Sequence, residues 1–488
     1  MTDTRKIVES RHRDYLATQS LLQFYRDAAE GGPTWPGKAN PLSRAALKHQ
    51  SSGARNYVSQ YSLESTDNYI ARLNRAVHVD LCSPAISLFC STVGQPSSVV
   101  PQIPDEYSFI WDDADLQGNS FLAFMKTART AAAISGVSYI LVDSVRTDEV
   151  IITAADERRL NIRPYLRLIR AEDLLNWRLD SNGQPVEVLF RVAVESPTSI
   201  LDGVEDTDAH YEFRYWNRGV WRLYQEAGSS FALAAENTNK IKTIPLIPLF
   251  HEQLGTFRGE SLLKSAAKYS VLLSNWLSNS DSVLEKQAFS QAVLKSASKP
   301  SEVGVGTDVV LHLNPAGKDE GEEDFFYAAP DTGPLTAAWE AFTRVFRMAN
   351  KSLGLEADVE EKAAVPESGV ARAWKFHEVE RRLISMTENE QSAVRSVLNL
   401  VGNWKGQQEF PGSIQYSTKF ELGDLEADIE RTLALQSMGM PETARRELMR
   451  SCLKKALPAL ASDVQAQIDR ELEHMGSLPD PRVAPQEP

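Results

Sequence analysis

Cysteine is nearly missing from this sequence: its 488 residues hold three, Cys82, Cys90 and Cys452. So few thiols cannot build a disulfide framework, and a reducing compartment is expected. If Cys82 and Cys90 share a helix, they stand about 12 Å apart along its axis, too far for a bridge or a common zinc. They read as small core residues. Long apolar runs are missing as well. Leu81 to Pro104 carries no charge, but Pro84, Pro96, Pro101 and Pro104 would leave backbone groups unpaired in lipid, so no membrane span is expected. Met1 to Asp14 is charged and lacks an apolar h-region, which predicts no signal peptide. Positive charge is in deficit, with 52 Lys and Arg against 66 Asp and Glu and a formal net charge of -14. That sign argues against tight electrostatic wrapping of nucleic acid or an anionic membrane, while leaving passing contact with DNA allowed.

The signatures of common chemistries are incomplete. Gly32-Pro33-Thr34-Trp35-Pro36-Gly37-Lys38 has the glycine and lysine spacing of a phosphate loop. Ala39, however, stands where a hydroxyl should hold magnesium, and two prolines delete amides that would face phosphate. His251-Glu252 and His377-Glu378 each begin like a zincin helix, but Gly255 and Arg381 occupy the position of the second histidine. Neither a Gly-x-Ser-x-Gly elbow nor a Gly-x-Gly-x-x-Gly fingerprint occurs. No catalytic residue, metal site or cofactor is therefore assigned.

What remains is an ordinary folded composition, 42% hydrophobic, long enough for two to four lobes or one large domain with appendages. The first hundred residues pattern as helices, one stopping at Gly31-Gly32-Pro33 and another running from Thr66-Asp67-Asn68 to Leu81, with Pro84 kinking or ending it. Mixed α/β patterning follows. Ser120 to Ser135 reads as a helix stopped by Gly136, and Val137 to Asp143 as a buried strand. Further strands are expected at 162–169, 186–194, 211–216, 220–224 and 244–250, with a hairpin turn at Asn217-Arg218-Gly219. Helical spacing resumes from Gly259 to Gln291 through Leu262, Ala266, Tyr269, Leu273 and Trp276. A β-like acidic insert comes next, with a strand expected within Gly304 to Leu313 and with Asp319, Glu320, Glu322, Glu323 and Asp324. A helix begins at Pro334 and places Leu335, Trp339, Phe342, Phe346, Ala349 and Leu353 on one face. Gly354 ends it. Glu356, Asp358, Glu360, Glu361 and Glu367 then surround the single Lys362, before a helix predicted from Val370 to Asn403. A strand-like stretch, Ser413 to Glu421, precedes short helical segments to Met475 and a proline-rich tail.

The order of these pieces resembles the portal proteins of tailed bacteriophages. Tyr57 to Val93, with Tyr69, Arg72-Leu73-Asn74-Arg75-Ala76, Pro84 and Ile86, looks like the helical signature of one portal branch. Gly118-Asn119-Ser120-Phe121-Leu122, leading to Gly136-Val137-Ser138-Tyr139-Ile140-Leu141-Val142-Asp143, is similar to its wing domain. Leu435-Gln436-Ser437-Met438-Gly439-Met440-Pro441-Glu442-Thr443-Ala444 looks like the turn that follows portal channel helices.

The resemblance implies an α+β portal fold: a wing (1–258), stem helices (259–291 and 334–353) around a clip (292–333), a tunnel loop (354–369), a channel helix (370–403), a wing return strand (404–423), a crown (424–475) and a flexible tail (476–488). It further implies a homo-oligomeric ring, usually a dodecamer, in the capsid vertex of a virion assembled in host cytoplasm. Such a ring nucleates the head with major capsid and scaffolding proteins, docks the packaging motor (terminase) and a head-tail adaptor, and passes double-stranded DNA. On that reading Glu356, Asp358, Glu360, Glu361, Lys362 and Glu367 face the channel, where acidic walls let the duplex slide. The five acids from Asp319 to Asp324 meet a partner, and Trp276, Trp339, Phe342 and Phe346 lie at core or subunit interfaces. Two alternatives stay open: a packaging-associated ATPase or metal-dependent nuclease, and a large α/β cytoplasmic enzyme.

Overall fold

The computed structural model describes residues 4–30, 57–145, 156, 159–194, 210–227, 230–287, 291–295, 311–313, 324–328, 333–355, 369–418, 420, 446, 449–450 and 467–472. Helix and sheet are mixed along them, the expected α+β class. The helices are α1 (Thr4–Val8), α2 (Arg13–Glu30), α3 (Thr66–Arg75), α4 (Cys82–Thr92), α5 (Ser108–Asp112), α6 (Phe121–Ser135), α7 (Ala266–Gln287), α8 (Gly333–Ser352) and α9 (Gly369–Trp404).

Local chemistry sets the bounds of α6. The Ser120 side chain accepts a hydrogen bond from the Ala123 amide at its start, and Gly136 closes it in the left-handed region at φ 88, where glycine has no Cβ penalty. The next residue opens a strand, Val137–Ser144, that runs with every residue but its last buried.

Among the described residues, pairing of the strands separates five sheets. β1 (Val99–Gln102) pairs antiparallel with β15 (Ser413–Tyr416). β2 (Val137–Ser144) lies between β3 (Pro164–Ile169) and β9 (Leu246–Phe250), both antiparallel to it. An antiparallel sheet follows chain order through β4 (Leu174–Leu179), β5 (Pro185–Val194), β6 (His210–Asn217), β7 (Val220–Ala227) and β8 (Ser230–Thr238). The expected turn joins β6 to β7, with Asn217 Oδ1 accepting from the Gly219 and Val220 amides. β10 (Glu252–Gly255) and β11 (Arg258–Glu260) make a short hairpin. Between α7 and α8 in sequence, β12 (Gln291–Lys295) pairs parallel with β13 (Leu311–Leu313) and antiparallel with β14 (Asp324–Ala328).

Two cores meet on α9. One packs α6, β2 and β3 against Ala393, Val394, Val397, Leu398 and Val401. The other joins α2, α4 and the start of α7 to Leu383 and Met386. Cys82 and Cys90 are free thiols inside this second core. Burial pushes the pKa of Cys82 up to about 12 and that of Cys90 up to about 11.

Two expected helices are shorter than the sequence pattern implies. The one from residue 66 stops at Arg75, and Asp80 Oδ1 caps a new helix by accepting from the Cys82 and Ser83 amides. Pro84 thereby falls in a first turn, where its missing amide costs nothing. The helix expected at 259–291 spans only Ala266–Gln287. Its predicted start is strand instead, because Gly259 lies against Gly136: a Cβ on Gly259 would stand 1.9 Å from the Gly136 carbonyl oxygen. Gln291, its predicted end, belongs to β12.

Candidate functional site: an open helical hairpin and an anchored long helix

α7 and α8 pack side by side. Leu273 of α7 and Ala349 of α8 share a small buried cluster with Leu81, on which Phe342, Val345 and Phe346 also pack. Farther along, Trp276 and Val283 of α7 line a groove of 290 Å³ with Leu335, Ala338 and Ala341 of α8. Residue numbers rise along one helix as they fall along the other, so the pair is antiparallel.

The aromatic stripe of α8 runs from open to covered. Trp339 stacks on Phe342 and Phe342 on Phe346, with ring centroids 5.4 and 6.5 Å apart. Ala349 and Leu353 are buried, Phe342 and Phe346 partly so, and Trp339 is 64% exposed. Of the alternatives open in the sequence, core and interface, Trp339 is therefore not core in the single chain.

Behind α7 the segment before α3 is bracketed in place. Arg72 of α3 is 2% exposed. Its guanidinium donates to both Glu64 carboxylate oxygens at 2.8 and 2.7 Å and to the Ser59 carbonyl at 2.6 Å. The Tyr61 and Tyr69 rings lie within cation–π reach. Burial opposes the Arg72 charge, but the Glu64 hydrogen bond and charge outweigh it, so its pKa is raised. Asn275 of α7 completes the bracket, accepting from the Ser59 amide and donating to the Tyr57 carbonyl.

α9 has 36 residues and is about 54 Å long at about 1.5 Å per residue. Its C-terminal half is fixed through Glu390, fully buried, whose carboxylate receives Arg129 Nε at 2.5 Å and Nη2 at 2.8 Å. Arg129 Nη1 donates to the Cys90 carbonyl. One guanidinium thus ties α9 to α6 and α4. Burial works against the Arg129 charge, yet the Glu390 partner more than offsets it and raises the pKa. The Tyr416 hydroxyl is driven well above its ordinary range by burial and then by Glu390.

Sequence reading overlooked Arg129 and Glu390. The signal was present: Glu390 falls four residues after Met386 in the apolar stripe, and Arg129 lies next to buried Ala128 on an otherwise apolar face.

Of the two acidic sets, Asp324 alone falls among the described residues. Asp324 opens β14 opposite Lys295 and is exposed. Asp319, Glu320, Glu322 and Glu323 lie outside the described residues, as do Glu356, Asp358, Glu360, Glu361, Lys362 and Glu367, and the phosphate-loop-like stretch at 32–38. His251 and His377 stand apart in sequence but line adjoining polar pockets that share Glu252, Arg382 and Ser385. Among the described residues, no group of three or more His, Cys, Asp or Glu side chains is placed to hold a metal. None of their helices is long and apolar enough to cross a membrane.

No protein-family profile matches the chain, and no curated protein matches it. Solved structures with a similar chain course include chains of gene transfer agent (GTA) particles. A chain in the virion of the native particle is 10% identical, with a TM-score of 0.39, over 75% of this chain and 88% of that one. A chain in the neck of the native particle, computed with C12 symmetry, is 10% identical with a TM-score of 0.40 over 91% and 98%. A chain in the neck of the empty particle, computed with C6 symmetry, gives 10% and 0.42 over the same shares.

Proposed function

We propose that the chain is a portal-type ring subunit of a tailed-phage-like particle. The ring sits at one capsid vertex, nucleates head assembly with the capsid and scaffolding proteins, docks the packaging motor and a head-tail adaptor, and conducts double-stranded DNA without catalysing a reaction. The observation that carries this reading is an order of elements: helix α7, a small three-stranded sheet, antiparallel helix α8, then α9 seated in the α/β body, which β15 re-enters by pairing with β1. In portal terms these are stem, clip, stem, channel helix and wing return strand. The 64% exposed Trp339 on one stem helix and the open, mainly apolar groove between the two stem helices support a chain that assembles.

Negative-stain microscopy of the purified chain tests the reading. Rings with a central hole and no ATP hydrolysis are expected. Particles of single-chain size at every concentration, or steady release of phosphate from ATP, would overturn it.

A further inference from the structure

Resting on the ring reading, we propose that adjacent copies dock head to tail through the α7–α8 hairpin, with Trp339 of one copy seated in the α7–α8 groove of the next. Both halves of the contact are present in one chain. Trp339 is an indole 64% exposed and held against the face of Phe342, so little side-chain freedom remains to be lost on docking. The groove is lined by the apolar side chains of Trp276, Val283, Leu335, Ala338 and Ala341, with Asn279 and Ser280 as its polar members.

Their placement selects the symmetry. Take the Leu273–Ala349 cluster as the line on which the helices face each other. At about 100° per residue, Trp339 lies about 80° round α8 from Ala349, and Ala341 about 80° the other way. Val283 leans from Leu273 towards the Ala341 side. By the same count Ala338 lies about 20° to the Ala341 side and Leu335 about 40° to the Trp339 side, so the groove opens mainly on the flank away from the knob. A two-fold dimer engaging both knobs and both grooves needs them on one flank, whereas a head-to-tail contact needs them apart.

Height is the second constraint. Ten residues along α7 from Leu273 reach Val283, and ten back along α8 from Ala349 reach Trp339, so both stand about 15 Å from that cluster. With the hairpin parallel to the ring axis, a joint between patches at equal height adds no axial rise, the condition a head-to-tail contact must meet to close as a ring instead of extending as a filament.

The test uses two defective full-length chains, Trp339→Ala, which lacks the knob, and Val283→Glu, which charges the groove. Under conditions where the unaltered chain forms large assemblies, each variant alone should run as a single chain by light scattering. Mixed one to one, they should form two-chain particles and nothing larger, since one intact knob meets one intact groove and both outer ends are dead. Pairing on mixing also shows that both variants are folded. If Val283→Glu melts early, Ala341→Gln replaces it. Either variant assembling like the unaltered chain, or two monomeric variants of unchanged melting that do not pair, would overturn the docking while leaving the ring reading intact. An unaltered chain that stays single at every concentration defeats the ring reading itself.

Discussion

Arg129 and Glu390 lie 261 positions apart in sequence and meet in a two-bond ion pair that solvent barely reaches. Removing one partner leaves the other charge buried and unpaired, a loss of about 3 to 5 kcal/mol. Glu390→Leu and Arg129→Met should each lower stability by about that amount in urea unfolding. The double variant should recover much of the loss, because two apolar side chains satisfy each other where one charge cannot. Additive losses would mean that each side chain is held by neighbours other than its partner.

Gly136 and Gly259 should both resist the smallest substitution. Alanine at 136 places a Cβ 2.4 Å from the Gly259 carbonyl oxygen and forces a φ of 88 on an L side chain. The left-handed conformation alone costs about 1 to 2 kcal/mol, and the backbone collision adds to it. Gly136→Ala and Gly259→Ala should each give mostly insoluble protein on expression, while Gly118→Ala, at φ 84 but with nothing within 4 Å, meets only the left-handed cost and stays soluble.

His251 gives a pH dependence with a definite sign. Burial, and then Arg382, push its pKa from the ordinary 6.5 down to about 4, with Glu260 opposing. Between those values the unfolded chain takes up a proton that the folded chain refuses, so this contribution is intact above about pH 6.5 and is lost as pH falls towards 4. The loss is at most about 3 kcal/mol. Urea unfolding at pH 7.5 and pH 5 should show the fall in the unaltered chain and a smaller one in His251→Asn. Equal falls would place the imidazole in solvent.

The two core thiols should be inert. With pKa values raised by burial to about 12 and about 11, Cys82 and Cys90 hold almost no thiolate at pH 8, and only the thiolate reacts. Peptide mapping after iodoacetamide should find both unmodified in native protein and alkylated in urea. Labelling of either in the native state would show the second core opening.

Legibility in the sequence followed the range of the interaction that decides each element. Ser120, Gly136 and the turn at Asn217 act on neighbours a few residues away, so α6, β2 and the β6–β7 hairpin read correctly. The long helix was expected at 370–403 and spans Gly369–Trp404, its stripe being long enough to average out exceptions. The bound at Arg75 was missed because the competing cap at Asp80, though local, was not weighed, and the other wrong bound arose where distant backbone intervened. The helical pattern before Ala266 yields to the Gly136–Gly259 approach, which no local spacing encodes. Strands β4 and β8 went unread, and β8 is largely exposed, with little apolar alternation to find. Period placed Trp339, Phe342 and Phe346 on one face of α8, where they stack, but periodicity cannot say whether Trp339 faces its own chain or solvent. Arg129 and Glu390 look like exceptions in two apolar faces until both are in view.

The pairing of Val99–Gln102 with Ser413–Tyr416 has a consequence for vectorial synthesis. Residues near 100 leave the ribosome more than three hundred residues before their strand partner, and the core around β2 also waits for Ala393 to Val401 of α9. The hairpin that carries Trp339 is made earlier than the segment that completes the body. A nascent chain therefore holds apolar surface open through most of its translation, at about 5 to 20 residues per second in general. Release of a chain ending before residue 393 leaves that surface without a lid, so truncated products should be captured by chaperones or aggregate rather than persist as small folded fragments.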